Sequence, residues 1–263
     1  MTDRATPRAP WPLVALGALG LLIVVVPLAG LAWRAPWTDL PSLVSSPVVR
    51  DALMLSLVTS VLATLCSVVV GVPLAWLLAR VPFPGRRVVR GLITLPMVLP
   101  PVVGGAALLF ALGRRGLIGE PLAELTGFVM PFSIWAVVVA NTFVALPFLV
   151  ITVEGALLGL DQRYEQAAAS LGASRLHVLR RVTLPAIAPS LWAGAVLAWA
   201  RALGEFGATI TFAGNLPGRT QTLPLAVFVS LESDRDTAVA ISLVLVAVSL
   251  SVLIGLRRRW WSP

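Results

Sequence analysis

The chain has no lysine; all twenty basic residues among its 263 are arginine. Without lysine there is no Walker A phosphate loop and no Schiff base, so work against a gradient must draw on ATP bound by another chain. Histidine and cysteine occur once each, as His177 and Cys66. One of each excludes a multi-histidine metal site, a conventional catalytic triad and an internal disulfide. No catalytic constellation can be assembled, so the chain is expected not to be an enzyme and to hold no metal or cofactor of its own. Charge is scarce as well, at 12% of residues, against 58% hydrophobic residues and a mean hydropathy of +0.92. That composition lies far outside the soluble range and describes an integral membrane protein.

Apolar runs near the roughly 20 residues needed to cross a bilayer occupy 11–33, 52–79, 92–112, 130–153, 189–213 and 238–256. Six transmembrane helices in an all-α fold are expected. The first run follows Arg4 and Arg8, as a signal peptide would, but it exceeds the usual apolar length of one and is read as a retained helix. Arginine counts set the orientation. Arg4, Arg8, Arg80, Arg86, Arg87, Arg90, Arg163, Arg175, Arg180, Arg181 and Arg257 to Arg259 make thirteen in one set of loops. Arg34, Arg50, Arg114, Arg115, Arg219 and Arg235 make six in the other. The positive-inside rule puts the first set and both termini in the cytoplasm, with Trp260 and Trp261 as an interfacial anchor. The net charge of +8 follows from this topology and from anionic lipid headgroups, and needs no nucleic acid. The expected division is an N-terminal tail, first helix and external loop over 1–51, a core transmembrane domain over 52–256 and a cytoplasmic tail over 257–263.

Inside the runs, Ser56, Ser60 and Thr64, then Ser67, Gly71 and Ala75, recur at four-residue spacing and form a face for close helix packing. The third run carries Pro96, Pro100, Pro101, Gly104 and Gly105. A helix that loses so many amide donors must face protein or a watery cavity, which leaves a kinked structural helix or a transport pathway. Asn141 and Thr142 add modest polar groups to the fourth run. Arg201 and Glu205, four apart on one helix face, are read as the charges lying inside a span, either a structural ion pair or part of a pathway or gate. Because Glu205 already stands beside Arg201, a proton-coupled secondary transporter is the weaker reading. The loops read as external contain Arg114, Arg115, Glu120 and Glu124 in one, and Gly214, Pro217, Gly218 and Arg219 in another.

One loop is patterned differently. Residues 164–189 read YEQAAASLGASRLHVLRRVTLPAIAP. Good helix formers run from Glu165 to Leu171, Gly172 sits where a helix end needs positive φ, and a basic helix resumes at Leu176. Two short helices with a corner are expected, with Pro185 and Pro189 stopping the second and opening the next apolar run.

This loop resembles the EAA loop of ABC-importer permeases. Gln166, Ala167 and Ala168 fall on its Glu-Ala-Ala triplet, Gly172 on its glycine, Val182 on its isoleucine, and Leu184 with Pro185 on its end; the carboxylate stands one place early, at Glu165. Together with LPMVLPPVVGG, GRRGLIGE, ARALGEFGATITFAGN and PGRTQTLPLAVF, in that order, the chain resembles the permease subunit of molybdate and tungstate ABC importers, with sulfate and thiosulfate permeases as near relatives. The resemblance implies a type I permease fold in the cell inner membrane, a homodimer, two cytoplasmic ATPase subunits that carry ATP and magnesium, and an extracytoplasmic molybdate-binding protein. It assigns coupling to the ATPase to Glu165, Gln166, Ala167, Ala168, Gly172, Arg175, Leu184 and Pro185. Pathway candidates are Pro100, Pro101, Gly104, Asn141, Thr142, Arg201 and Glu205, and binding-protein contacts are Arg114, Arg115 and Arg219.

Overall fold

The computed structural model describes residues 10–260, with side chains as far as Gly255. Arg4, Arg8, the side chains of Arg257, Arg258, Arg259 and Trp260, and the whole of Trp261 lie outside the described residues, and with them part of the arginine count and the tail over 257–263.

Every regular element among the described residues is helical: α1 (Trp11–Trp33), α2 (Leu40–Val44), α3 (Pro47–Arg80), α4 (Arg86–Val98), α5 (Pro101–Leu112), α6 (Gly119–Thr126) and α7 (Ile134–Gly159) form the first part. The second part comprises α8 (Arg163–Ser170), α9 (Arg175–Val178), a π-helical turn (Leu179–Thr183), α10 (Leu184–Ala186), α11 (Ala188–Leu203), α12 (Gly207–Phe212), α13 (Leu223–Ser233) and α14 (Arg235–Trp260). Four helices, α1, α3, α7 and α14, are long and apolar enough to cross a membrane, and six spans result if each of two bent pairs is one.

The first bent pair agrees with the expected interruption of the third run, and the second bends between Pro185 and Pro189, where one helix is expected to stop and the next to open. A separate break, over 204–206, corrects the expectation of a continuous fifth run. The run over 92–112 breaks where Pro100 and Pro101 stand in tandem; Leu99, which precedes a proline, is pushed to extended backbone at ψ 137°, and the axes of α4 and α5 diverge by 119°. Helix α4 begins at Arg86, so Arg86, Arg87 and Arg90 lie on a helix rather than in a loop. The run over 189–213 ends as a helix at Leu203, and α12 begins after a break over 204–206. Upstream, α11 turns by 75° from the α9 to α10 segment.

Helix α7 is the centre. Its N-terminus is capped by Ser133, whose Oγ accepts from the Ala136 amide at 3.3 Å. It continues past Val153 to Gly159 and meets α3 and α11 in a cluster built on Leu78, Leu149, Val153, Leu157 and Ala198. A second cluster, with Leu108, Val137, Val144, Ala208 and Phe212, joins it to α5 and α12; a third, with Val49, Ala52, Leu223 and Ile241, joins α3, α13 and α14. In lipid there is no hydrophobic drive between helices, so closeness of approach decides packing. The small-residue stripe supplies it: Ser56, Ser60, Ser67, Gly71 and Ala75 are buried and Thr64 is half-buried, and a methyl on Gly71 would stand 2.9 Å from Leu149. Helix α1, by contrast, buries no residue.

Candidate functional site

The corner between α8 and α9 is built by local rules. The Asp161 carboxylate accepts the Arg163 amide at 2.9 Å and starts α8. The helix closes with two backbone bonds, Gly172 N–H to Ala169 O at 3.0 Å and Ala173 N–H to Ala168 O at 3.2 Å, around Gly172 at φ +85°. This is a Schellman closure, and the left-handed residue it requires is the expected glycine. Ser174 then caps α9, its Oγ accepting from His177 N–H at 3.3 Å.

Glu165 gives the corner its attachment to the membrane body. Its Oε2 lies 3.0 Å from Arg80 Nε at the end of α3, Arg80 Nη2 donates to Oε1 at 3.3 Å, and the Thr183 hydroxyl donates to Oε1 at 2.8 Å. Arg80 is 8% and Glu165 18% exposed, so the pair sits in a partly dry setting where a charge-assisted bond is stronger than at an open surface. Gln166 and Ala167 face outward with Arg175 and Pro185, and Ala168 is half-buried. Ala168, Gly172, Ser174 and His177 edge an open concavity of about 610 Å³. Leu184 turns inward onto the α3, α7 and α11 cluster.

Of the pathway candidates, the structure gathers most at one end of α7. Asn141 is 2% exposed; its Nδ2 donates to Thr59 Oγ1 at 3.5 Å and its Oδ1 accepts from Thr209 Oγ1 at 3.4 Å, so one side chain joins α3, α7 and α12 through long, weak bonds. Thr142 is satisfied by its own helix, at Val138 O, 2.7 Å away. Helices α5 and α12 interlock through glycines. A methyl on Gly207 would approach Pro101 Cβ to 2.7 Å, one on Gly104 the Phe143 ring to 3.0 Å, and one on Gly105 the Ala208 backbone oxygen to 2.8 Å. Pro100 is exposed at the start of α5.

Arg201 and Glu205 pair as spacing predicts, with Arg201 Nη2 and Glu205 Oε2 2.6 Å apart, but across a helix break instead of along one helix. Glu205 Oε1 accepts the Ala208 amide at 2.7 Å. The cation therefore stands at the C-terminal end of α11 and the anion at the N-terminal end of α12, the arrangement both helix dipoles favour. They are not the only charges in a span. Glu154, within α7 and 6% exposed, binds Arg90 of α4 through both carboxylate oxygens. The fourth apolar run ends at Val153, so reading by hydropathy alone misses it; an acidic residue one place beyond an apolar run is the signal that marks it.

Arg114, Arg115 and Arg219 are exposed at the same end of the bundle, where α5 and α12 finish and α7 begins. Arg114, Arg115, Glu120 and Glu124 border a concavity of about 690 Å³. The segment over 214–222 is not a plain external turn: Thr220, Gln221 and Thr222 are buried, and the Leu223 amide donates to Ser56 Oγ at 2.7 Å.

Residues 71–260 match the family model described as the binding-protein-dependent transport system inner membrane component. The chain belongs to this family. Within it, the chain is 49% identical over 240 residues to the molybdenum transport system permease protein ModB of Mycobacterium tuberculosis, covering 91% of this chain and 90% of that one. It is 37% identical over 214 residues to the sulfate transport system permease protein CysT of Salmonella typhimurium, covering 80% and 77%. The fold matches a chain of a bacterial ABC transporter involved in import of the acidic polysaccharide alginate, with a TM-score of 0.75 at 20% identity over 96% of each chain. This permease is thus an all-helical membrane subunit of a transport system.

Proposed function

We propose that two copies of this permease form the membrane core of an importer for a tetrahedral oxyanion, molybdate or tungstate, in the cell inner membrane. Each copy crosses the membrane six times with both termini in the cytoplasm. Two ATPase subunits bind ATP and magnesium and dock on the α8 to α9 corner, and a molybdate-binding protein delivers the anion at the end that carries Arg114, Arg115 and Arg219. The observation that carries the reading is the corner itself: an outward Ala167 and an open concavity at Ala168 and Gly172, held to α3 and to the π turn by Glu165. Movement of a docked ATPase at that face is transmitted to two membrane elements at once. ATP binding draws the two corners together and opens the pathway outward; hydrolysis resets it. Glu165, Gln166, Ala167, Ala168, Gly172, Arg175, Leu184 and Pro185 form the coupling set. The pathway passes the α5 and α12 pair, with Pro101, Gly104 and Asn141 near it and the Arg201 to Glu205 pair bracing its break.

Identity to ModB supports molybdate, and the lower identity to CysT keeps sulfate as the second reading. The test is ATP hydrolysis by the reconstituted complex with the binding protein loaded in turn with molybdate, tungstate and sulfate. Molybdate or tungstate is expected to stimulate most; stimulation by sulfate alone would reassign the cargo. A stable complex with the purified ATPase separates this reading from a secondary transporter, which would form none. Ala168→Trp is expected to weaken that complex or to uncouple it.

A further inference from the structure

Helix α4 has two faces of different chemistry. On one, Val89 and Ile93 pack onto the α3 and α7 core and Arg90 binds Glu154. On the other, Val88 (64% exposed), Leu92 (62%), Leu95 (45%) and Val98 (82%) recur at positions i, i+4, i+7 and i+10 and form an exposed apolar stripe. At the head of this stripe an open concavity of about 480 Å³ is edged by Phe83, Gly85, Arg86, Arg87 and Arg90. Arg90 is committed to Glu154, but among the described residues Arg86 and Arg87 have no carboxylate partner, and Arg86 Nε is buried without a hydrogen-bond acceptor.

We propose that this is a binding site for one anionic phospholipid, its phosphate held by the Arg86 and Arg87 guanidiniums and an acyl chain lying along Val88, Leu92 and Leu95. Two free guanidiniums supply a fork of donors that matches phosphate oxygens. The adjoining stripe needs an apolar partner continuous with that phosphate, and a basic amphipathic helix beside apolar spans meets such a molecule in the bilayer itself. A soluble protein would satisfy the arginines and leave the stripe bare; a free phosphate would do the same. The inference rests on the membrane reading but on no particular cargo, so it stands or falls independently of molybdate.

The test uses the permease with its ATPase subunits in vesicles of phosphatidylcholine with or without phosphatidylglycerol, and native mass spectrometry after detergent extraction to count retained lipid. Phosphatidylglycerol is expected to be retained over phosphatidylcholine, to resist displacement by excess inorganic phosphate, and to bind roughly 25-fold more weakly in an R86Q/R87Q double variant, at about one factor of five per arginine. If the double variant fails to assemble, R87Q alone, at an exposed position, is expected to weaken retention roughly 5-fold. A V88S/L92S variant should also lose lipid, which a simple anion site would not. Unchanged retention in R87Q, displacement by inorganic phosphate, or loss of the ATPase subunits from R87Q would overturn the proposal, the last by making the patch a protein interface.

Discussion

Glu205 and Glu165 each bind an arginine and one further donor beside a helix interruption, yet they join very different lengths of chain. Glu205 is a local staple: its partners, Arg201 and the Ala208 amide, lie within four residues, and its side chain is 1% exposed. Glu165 is a strut: Arg80 lies 85 residues upstream and Thr183 18 downstream, at the edge of the structure where solvent reaches it. A buried local staple fixes the shape of one element, whereas a remote strut makes two elements move as one. On the proposed function, the first belongs to the frame of the membrane body and the second to the transfer of movement into it.

The largest effect is expected at the staple. Glu205→Ala leaves the Arg201 guanidinium and the Ala208 amide without partners, a loss on the order of 3 to 5 kcal/mol for a broken buried pair, at the low end because Arg201 is 29% exposed. Measured as yield of monodisperse protein, the single variant should fall sharply, and Arg201→Met with Glu205→Gln should recover part. Normal yield with lost uptake would move Glu205 from the frame to the pathway.

A β-branched residue at two glycines sharpens the contrast. Gly105→Val drives a side chain into the Ala208 backbone and is expected to cost about 2 to 3 kcal/mol, read as a lowered Tm in detergent. Gly172→Val meets nothing within 4 Å, so only its φ of +85° is strained, about 1 to 2 kcal/mol. Its Tm should fall less than that of Gly105→Val while coupling to the ATPase falls more; the reverse order would merge the two regions.

The smallest effect is expected at Asp234, a fully exposed carboxylate between α13 and α14. The Thr237 hydroxyl, donating at 2.5 Å, and then the Thr237 amide hold its pKa below the ordinary value. Because the folded pKa is depressed, its stabilisation is present above the unfolded value near pH 4 and is lost as pH falls through the folded value. Amide exchange at the start of α14 should quicken on acidification over that range, and Asp234→Asn should abolish the dependence.

What could be read from the sequence divides in the same way between local and remote. Gly172, the Pro100 to Pro101 break and the Arg201 to Glu205 pair are each announced by residues within a few positions, and the stripe from Ser56 to Ala75 by its period. Arg90 to Glu154 spans 64 residues and Arg80 to Glu165 spans 85, so no window along the chain holds both partners. A related limit explains why 203–207 reads as continuous helix from its residues alone. An apolar run reports depth in the membrane, and only the Ala208 to Glu205 bond shows that a carboxylate has replaced the helical ladder there.

If Glu165 carries movement between the ATPase face and the membrane body, Glu165→Ala in the complete reconstituted complex should break that link. Hydrolysis of ATP and uptake of molybdate would be measured together, with and without loaded binding protein. The variant is expected to assemble with its ATPase and hydrolyse ATP at the basal rate, but to show neither stimulation by loaded binding protein nor uptake. Full stimulation and full uptake in a correctly assembled variant would contradict that role of Glu165.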